Sequence, residues 1–118
     1  MPSVLLVEDD SAVREILREL LDNVGYALTC VPTHAEAENA LATAEFDVLA
    51  ADVRLPDGKA YDLAAVAAQR GTRSILFTGH GDEVSTLESA HITFLLKPFR
   101  LDDFLTVIEE QIKARSAV

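Results

Sequence analysis

The sequence predicts an α/β protein in which a five-stranded parallel sheet carries helices on both faces, and three observations carry that reading. Short uninterrupted apolar runs, such as Val4 to Val7 and Val48 to Ala51, are too short for helices and lack the polar alternation of a strand with one wet face. Between these runs, apolar residues recur at helical spacing. The connections are short and marked by Gly, Pro and Asp, so each strand must reach the next through a right-handed helical crossover.

The elements follow in order. Val4 to Val7 forms the first strand and ends in Glu8, Asp9 and Asp10. Val13, Ile16, Leu17, Leu20, Leu21 and Val24 then mark the inward stripe of a helix, with Asp10 or Ser11 as N-cap and Gly25 as stop. Ala27 to Val31 is a weaker strand. Thr33 with Glu36 makes a capping box that opens a second helix through Ala37, Ala40 and Leu41.

Val48 to Ala51 is the central strand, buried on both faces, and Asp52 stands at its carboxyl end. Pro56-Asp57-Gly58 is turn chemistry, so the chain leaves the sheet directly after Asp52. Ala60 to Arg70 is helical, with Leu63, Val66 and Ala67 facing inward and Gly71 as C-cap. Ser74 to Thr78 is the fourth strand, followed by the turn Gly79-His80-Gly81. Asp82 to Ala90 reads as a short fourth helix, and Thr93 to Leu96 as the fifth strand running into Lys97-Pro98. The last helix shows Leu101, Phe104, Leu105, Ile108 and Ile112 on one face, with Lys113 and Arg115 near its carboxyl end.

Composition bounds the function. At 118 residues with a 49% hydrophobic fraction, the chain suits one domain, residues 1–118, with no output domain. A formal net charge of -10 opposes direct binding to nucleic acid. No apolar run approaches the roughly 20 residues needed to span a bilayer, and a single cysteine, Cys30, suits a small buried hydrophobe in a reducing compartment; the expectation is a cytoplasmic protein. His34 and His91 are expected at the surface without a role, and Tyr26 and Tyr61 in packing.

The common five-stranded solution is the flavodoxin-like order 2-1-3-4-5, which places the first and third strands side by side. Glu8, Asp9, Asp52, Thr78 and Lys97 then converge on one sheet edge from four strand ends. Carboxylates a few ångströms apart repel by about 4 kcal/mol per pair at an effective dielectric near 20, so they stay ionised only beside a cation. Mg²⁺ suits such oxygen donors. A divalent ion and the Lys97 ammonium flanking a carboxylate would stabilise a transferring phosphoryl group, with Asp52 as nucleophile and the Thr78 hydroxyl bonding a phosphate oxygen.

Over nearly its whole length the sequence resembles the receiver domain of two-component response regulators. The resemblance rests on Val4 to Asp10 with the helix that follows, Phe46 to Gly58, Ile75 to Gly79, and Phe94-Leu95-Leu96-Lys97-Pro98-Phe99. It implies a phosphoacceptor at Asp52, charged by a phosphohistidine of a sensor histidine kinase or a histidine phosphotransfer protein. It also implies Mg²⁺ held directly by Asp9, through water by Glu8, and by Asp52 and the backbone carbonyl of Arg54. Lys97 would pair with the phosphate and precede a cis proline. Thr78 and Phe94 would be the switch pair, Arg54 and His80 would tune the acylphosphate lifetime, and the first helix and edge loops would dock the kinase. Output to an unidentified effector would use the fourth helix, fifth strand and fifth helix; that face, or the first and fifth helices, would also serve a homodimer.

Two departures bear on output. Ala60 stands where the family often has Gly, and the segments Gly71 to Ser74 and Gly81 to Ile92 are a few residues short. Other functions fit less well. A phosphatase of the haloacid dehalogenase type wants a carboxylate two residues past its nucleophile, where Arg54 stands. A nucleotide or flavin carrier wants a glycine-rich phosphate loop where Glu8-Asp9-Asp10 would repel phosphate. A degenerate receiver that binds partners without phosphorylation remains the alternative, opposed by the presence of Asp52 and Lys97.

Overall fold

The computed structural model describes residues 1–116. In chain order the elements are β1 (Ser3–Val7), α1 (Ser11–Val24), β2 (Ala27–Val31), α2 (His34–Thr43), β3 (Val48–Asp52), α3 (Tyr61–Gln69), β4 (Arg73–Thr78), α4 (Val84–Ser89), β5 (Thr93–Leu96) and α5 (Leu101–Ser116). The five strands form one parallel sheet in the order β2-β1-β3-β4-β5, as the alternation of elements predicts. Two small pieces were not foreseen: Arg54–Leu55 pairs antiparallel with Gly58–Lys59, and a 3-10 turn, Gly81–Glu83, precedes α4. The predicted fourth helix is thus a 3-10 turn plus a six-residue helix.

The continuous apolar runs conceal a period of two. Leu5, Val7, Leu49, Ala51 and Leu76 face a core layer shared with Ala37 and Leu41 of α2, Leu63 and Ala67 of α3, and Leu87 of α4. Val4, Leu6, Val48, Ala50, Ile75 and Phe77 face the opposite layer, with Leu17 and Leu21 of α1 and Phe104 and Ile108 of α5. Both faces of β1 and β3 are covered, so alternation cannot show in the sequence. Loss of a fully buried side chain such as Leu17 or Leu49 would cost about 2–5 kcal/mol.

Helix ends follow local chemistry. Asp10 is the N-cap of α1, its Oδ1 accepting from the N–H groups of Ala12 and Val13. Gly25 adopts φ +96°, and the N–H groups of Gly25 and Tyr26 turn back to the carbonyls of Asp22 and Leu21, which closes α1. Thr33 caps α2 by accepting from the Glu36 N–H, while the Glu36 carboxylate accepts a hydrogen bond from the Thr33 hydroxyl instead of completing a reciprocal box.

Several predicted stripes are wider than the buried face. Ile16 and Val24 on α1, Val66 on α3 and Leu101 on α5 are exposed, and Ala64 takes the inward place assigned to Val66. Each lies at the border of its stripe, where spacing alone cannot separate core from rim. Cys30 is half-buried on the edge strand β2, and burial pushes its thiol up.

His34 departs furthest from expectation. It is buried at the start of α2, with Nε2 2.8 Å from Asp62 Oδ1 and Nδ1 2.8 Å from Glu38 Oε1. Asp57, in the predicted turn, caps the same helix from across the fold by accepting from the N–H groups of His34 and Ala35. Gly58 lies against that ring at φ +151°, a backbone conformation that L side chains rarely adopt, and this is what favours glycine there. The turn is pinned to α2, a long-range contact with no local sequence signature.

Candidate functional site

The site is built by register. Val7 pairs with Ala51 across β1 and β3, so the next residues, Glu8 and Asp52, emerge in step at the carboxyl edge. Each stands two residues beyond a side chain of the α1/α5 layer, Leu6 and Ala50, and therefore shares that face. Asp52 also pairs with Phe77 on β4, and Thr78 pairs with Leu96 on β5, which brings Lys97 to the same rim.

The contacts are short. Lys97 Nζ donates to Glu8 Oε1 at 2.5 Å and to Asp52 Oδ2 at 2.6 Å, and it lies 5.4 Å from the centre of the Phe77 ring. The Lys97–Pro98 peptide is cis. Among the described residues, Glu8, Asp9 and Asp52 each offer one oxygen, all within 4.8 Å of one another. Glu8 is fully buried and Asp9 exposed, so the cluster opens to solvent on one side.

Electrostatics match that geometry. Burial pushes the Glu8 carboxyl up, with the negative charge of Asp52 adding and the Lys97 bond opposing. Burial pulls the Lys97 ammonium down, but its bonds to Asp52 and Glu8 outweigh this and raise it. One ammonium among three carboxylates leaves an excess of negative charge. The donors are all hard oxygens, the set that Mg²⁺ takes, so the residues present fit that ion. When bound, Mg²⁺ neutralises clustered carboxylates and charge on phosphoryl oxygens.

The remaining predicted residues fall around this centre. The Arg54 N–H donates to Asp52 Oδ1 at 3.1 Å, so the Arg54 backbone borders the cluster. Its guanidinium is drawn elsewhere: Nε lies 2.8 Å from Glu83 Oε2 and Nη2 2.7 Å from Asp82 Oδ2. Thr78 is fully buried, and its Oγ1 accepts from the His80 N–H at 3.1 Å, while His80 itself is exposed. Phe94 is half-buried, pairs with Leu76 and packs into the α2/α3/α4 layer, on the same face as Thr78 two residues further along β4.

Sequence reasoning missed Glu83 and Tyr61 as polar partners. Tyr61 donates its hydroxyl to Glu83 Oε1 at 2.8 Å, and burial, followed by that carboxylate, pushes the phenol up to about 12. The only sequence signal was the acidic pair Asp82-Glu83 after a glycine turn, which suits a solvated loop equally well.

Comparison with known proteins decides the family. The model described as response regulator receiver domain matches residues 4–109. The chain belongs to the response regulator receiver family. The receiver is 30% identical over 115 residues to the response regulator protein TmoT of Ectopseudomonas mendocina, covering 93% of this chain and 52% of that protein. It is 31% identical over 115 residues to the transcriptional regulatory protein FixJ of Bradyrhizobium diazoefficiens, covering 93% of this chain and 56% of FixJ. The chain thus spans about half the length of these curated relatives.

Among solved structures, the non-phosphorylated receiver domain of HemR from Leptospira biflexa is 33% identical with a TM-score of 0.83, covering 95% of this chain and 94% of that one. A CheY-like receiver domain protein from Methanospirillum hungatei shares the fold at a TM-score of 0.90 and 23% identity, covering 99% and 98% of the two chains. The response regulator TrrA of Thermotoga maritima, solved in complex with Mg²⁺ and BeF, shares it at 0.84 and 23%, covering 94% and 99%. This receiver is a signalling domain of two-component type, and among its described residues no helix is long and apolar enough to cross a membrane.

Proposed function

We propose that the receiver takes a phosphoryl group onto Asp52 from a phosphohistidine of a sensor histidine kinase or a histidine phosphotransfer protein. The observation that carries this reading is the Lys97 ammonium bonded at once to Asp52 and Glu8, with Asp9 completing the acidic cluster. An Asp52 oxygen attacks phosphorus as the phosphorus–nitrogen bond of the donor breaks, and the imidazole departs with the donor protein. Lys97, already 2.6 Å from Asp52, holds positive charge where the phosphoryl oxygens arrive. Glu8, Asp9, Asp52 and the Arg54 carbonyl would hold Mg²⁺.

Readout follows from Thr78 and Phe94. Thr78 would release the His80 N–H to bond the new phosphate, and Phe94, on the same sheet face, would turn into the space left behind. The signalling surface is then α4, β5 and α5, read by an effector or by a second copy of the chain; an α1/α5 contact is the other route to a dimer. Kinase docking falls to α1 and the edge loops. A groove of about 370 Å³ there, lined by Val13, Ile16, Leu17, Pro98, Phe99 and Leu101, offers an exposed apolar anchor in Ile16 beside Lys97.

A small-molecule phosphodonor with Mg²⁺, followed by intact mass, tests this reading. Addition of a single phosphoryl group that Asp52→Asn abolishes is expected. Addition that survives Asp52→Asn would remove it. No uptake by a folded protein would favour a degenerate receiver that binds partners without phosphorylation, and turnover of many substrate molecules would point to an enzyme.

A further inference from the structure

A second concavity lies at the end of the sheet opposite Lys97. A cavity of about 410 Å³, a size that suits small-molecule sites, opens between α3, the amino ends of β4 and β5, the α4–β5 connection and α5. Register separates it from the acidic cluster: Ser74 pairs with Leu49 and Thr93 with Ile75 at the amino ends, whereas Asp52, Thr78 and Leu96 stand at the carboxyl ends. Small residues and a short helix leave the space. Ala64, Ala65 and Ala68 of α3 line it with no side chain longer than a single carbon. The helix α4 stops at Ser89 after six residues, and the chain turns through His91 at φ +55° into β5, so that the connection, with Ile92, supplies another wall.

The charge of the lining has one sign. The chain holds 20 acidic residues and a net charge of -10, yet among the described residues no carboxylate lines this cavity, and Arg73 is its one permanent charge. Arg73 Nε donates to Gln111 Oε1 at 2.9 Å, and Gln111 Nε2 donates in turn to Thr93 Oγ1 at 3.2 Å, which fixes the guanidinium at the rim. Its Nη1 and Nη2 have no protein partner among the described residues, and a planar pair of donors matches a carboxylate. Ser74 stands two residues before Leu76 and so faces the α3 layer, and its buried Oγ has no hydrogen-bond partner among the described residues. A buried hydroxyl left unpaired is costly, and rotation about one bond brings it to a polar atom of a ligand seated there.

We propose that this cavity binds a small organic acid, its carboxylate on the Nη donors of Arg73 and its apolar body along the alanine wall and Ile92. Bound there, the acid braces the connection into β5, two residues ahead of Phe94. The proposal stands whether or not Asp52 accepts a phosphoryl group, so its failure leaves that reading untouched.

The test titrates the isotope-labelled chain with benzoate, phenylacetate and cyclohexanecarboxylate, and with the neutral amide of each, while NMR follows the backbone amides. At least one acid is expected to shift the amides of Ala64, Ala68 and Ile92 saturably, with a Kd on the order of 1 mM, as suits ligands of so few atoms. Its neutral amide is expected to bind about fivefold more weakly, and Arg73→Gln to weaken the acid by about the same factor, as an exposed charge pair allows. Ala68→Leu, at an exposed helix position, fills the cavity without touching the charge and is expected to abolish binding. Thermal unfolding checks each variant, and Ala65→Leu, also exposed, serves should Ala68→Leu fail to fold. No saturable shift at these amides from any of the acids would overturn the proposal. Shifts that persist in Ala68→Leu would do the same by marking ion pairing at the surface, as would equal binding of acid and amide, which takes Arg73 out of the site.

Discussion

Lys97 and Asp52, 45 residues apart in sequence, meet with the ammonium 2.6 Å from the carboxylate. The same ammonium reaches the fully buried Glu8, so one cation serves two acids at the sheet edge. Removing it leaves the buried Glu8 carboxylate without its counter-charge. Lys97→Met is therefore expected to destabilise the fold by about 2–3 kcal/mol, less than for a wholly buried pair because Lys97 retains 26% of its side-chain exposure. Urea unfolding measures this, and an equally stable variant would mean that Glu8 is satisfied by another route.

Divalent metal acts on the same balance. The cluster of Glu8, Asp9 and Asp52 is present in the folded chain and dispersed in the unfolded one, so an ion that binds it stabilises by mass action. Mg²⁺ at about 100 times its dissociation constant is expected to add about 2.7 kcal/mol to unfolding free energy, and Asp9→Ala to lose most of that gain. Chemical unfolding with Mg²⁺ and with EDTA checks it. A gain unchanged in Asp9→Ala would place the ion elsewhere.

Thr78 gives a prediction about signalling alone. Its hydroxyl bonds the His80 N–H from a fully buried position, on the sheet face that also carries Phe94. Thr78→Val keeps the shape and removes the hydroxyl. Phosphorylation of Asp52 is expected to persist in the variant, while the phosphorylation-dependent change in the Phe94 ring resonances is lost. NMR of the phosphorylated and unphosphorylated chains separates the two effects, and a full Phe94 response in Thr78→Val would dissociate the pair.

How far the sequence reaches depends on whether a residue's role is local. Glu8, Asp9, Asp52, Thr78 and Lys97 could be read because each ends a strand, and parallel topology sends strand ends to one edge. Asp10 and Gly25 could be read because caps are decided within a few residues. Glu83 and His34 could not, since their partners come from other segments: Arg54, Lys59 and Tyr61 for one, Asp62 and Asp57 for the other. Val66 and Leu101 were placed inward because a helical period locates a stripe without fixing its width.

His34 carries the pH dependence that the fold predicts. Burial lowers its pKa, but the hydrogen bond to Asp62 and the negative charges of Asp62, Glu38 and Asp57 outweigh this and raise it above the ordinary value. The folded state therefore binds the proton more tightly than the unfolded chain. By linkage, this stabilisation is complete below the unfolded pKa near 6.5 and fades as pH rises through the folded value. The two acids bonded to the ring are largely exposed, so its size is on the order of 0.5–1 kcal/mol. His34→Gln removes the titration but keeps a hydrogen-bonding side chain. The stability difference between wild type and variant is expected to be largest in mildly acidic buffer and to shrink toward alkaline pH, as followed by urea unfolding across that range. A difference that instead grows with pH would mean that the neutral ring, and not the ion pair with Asp62, ties α2 to α3.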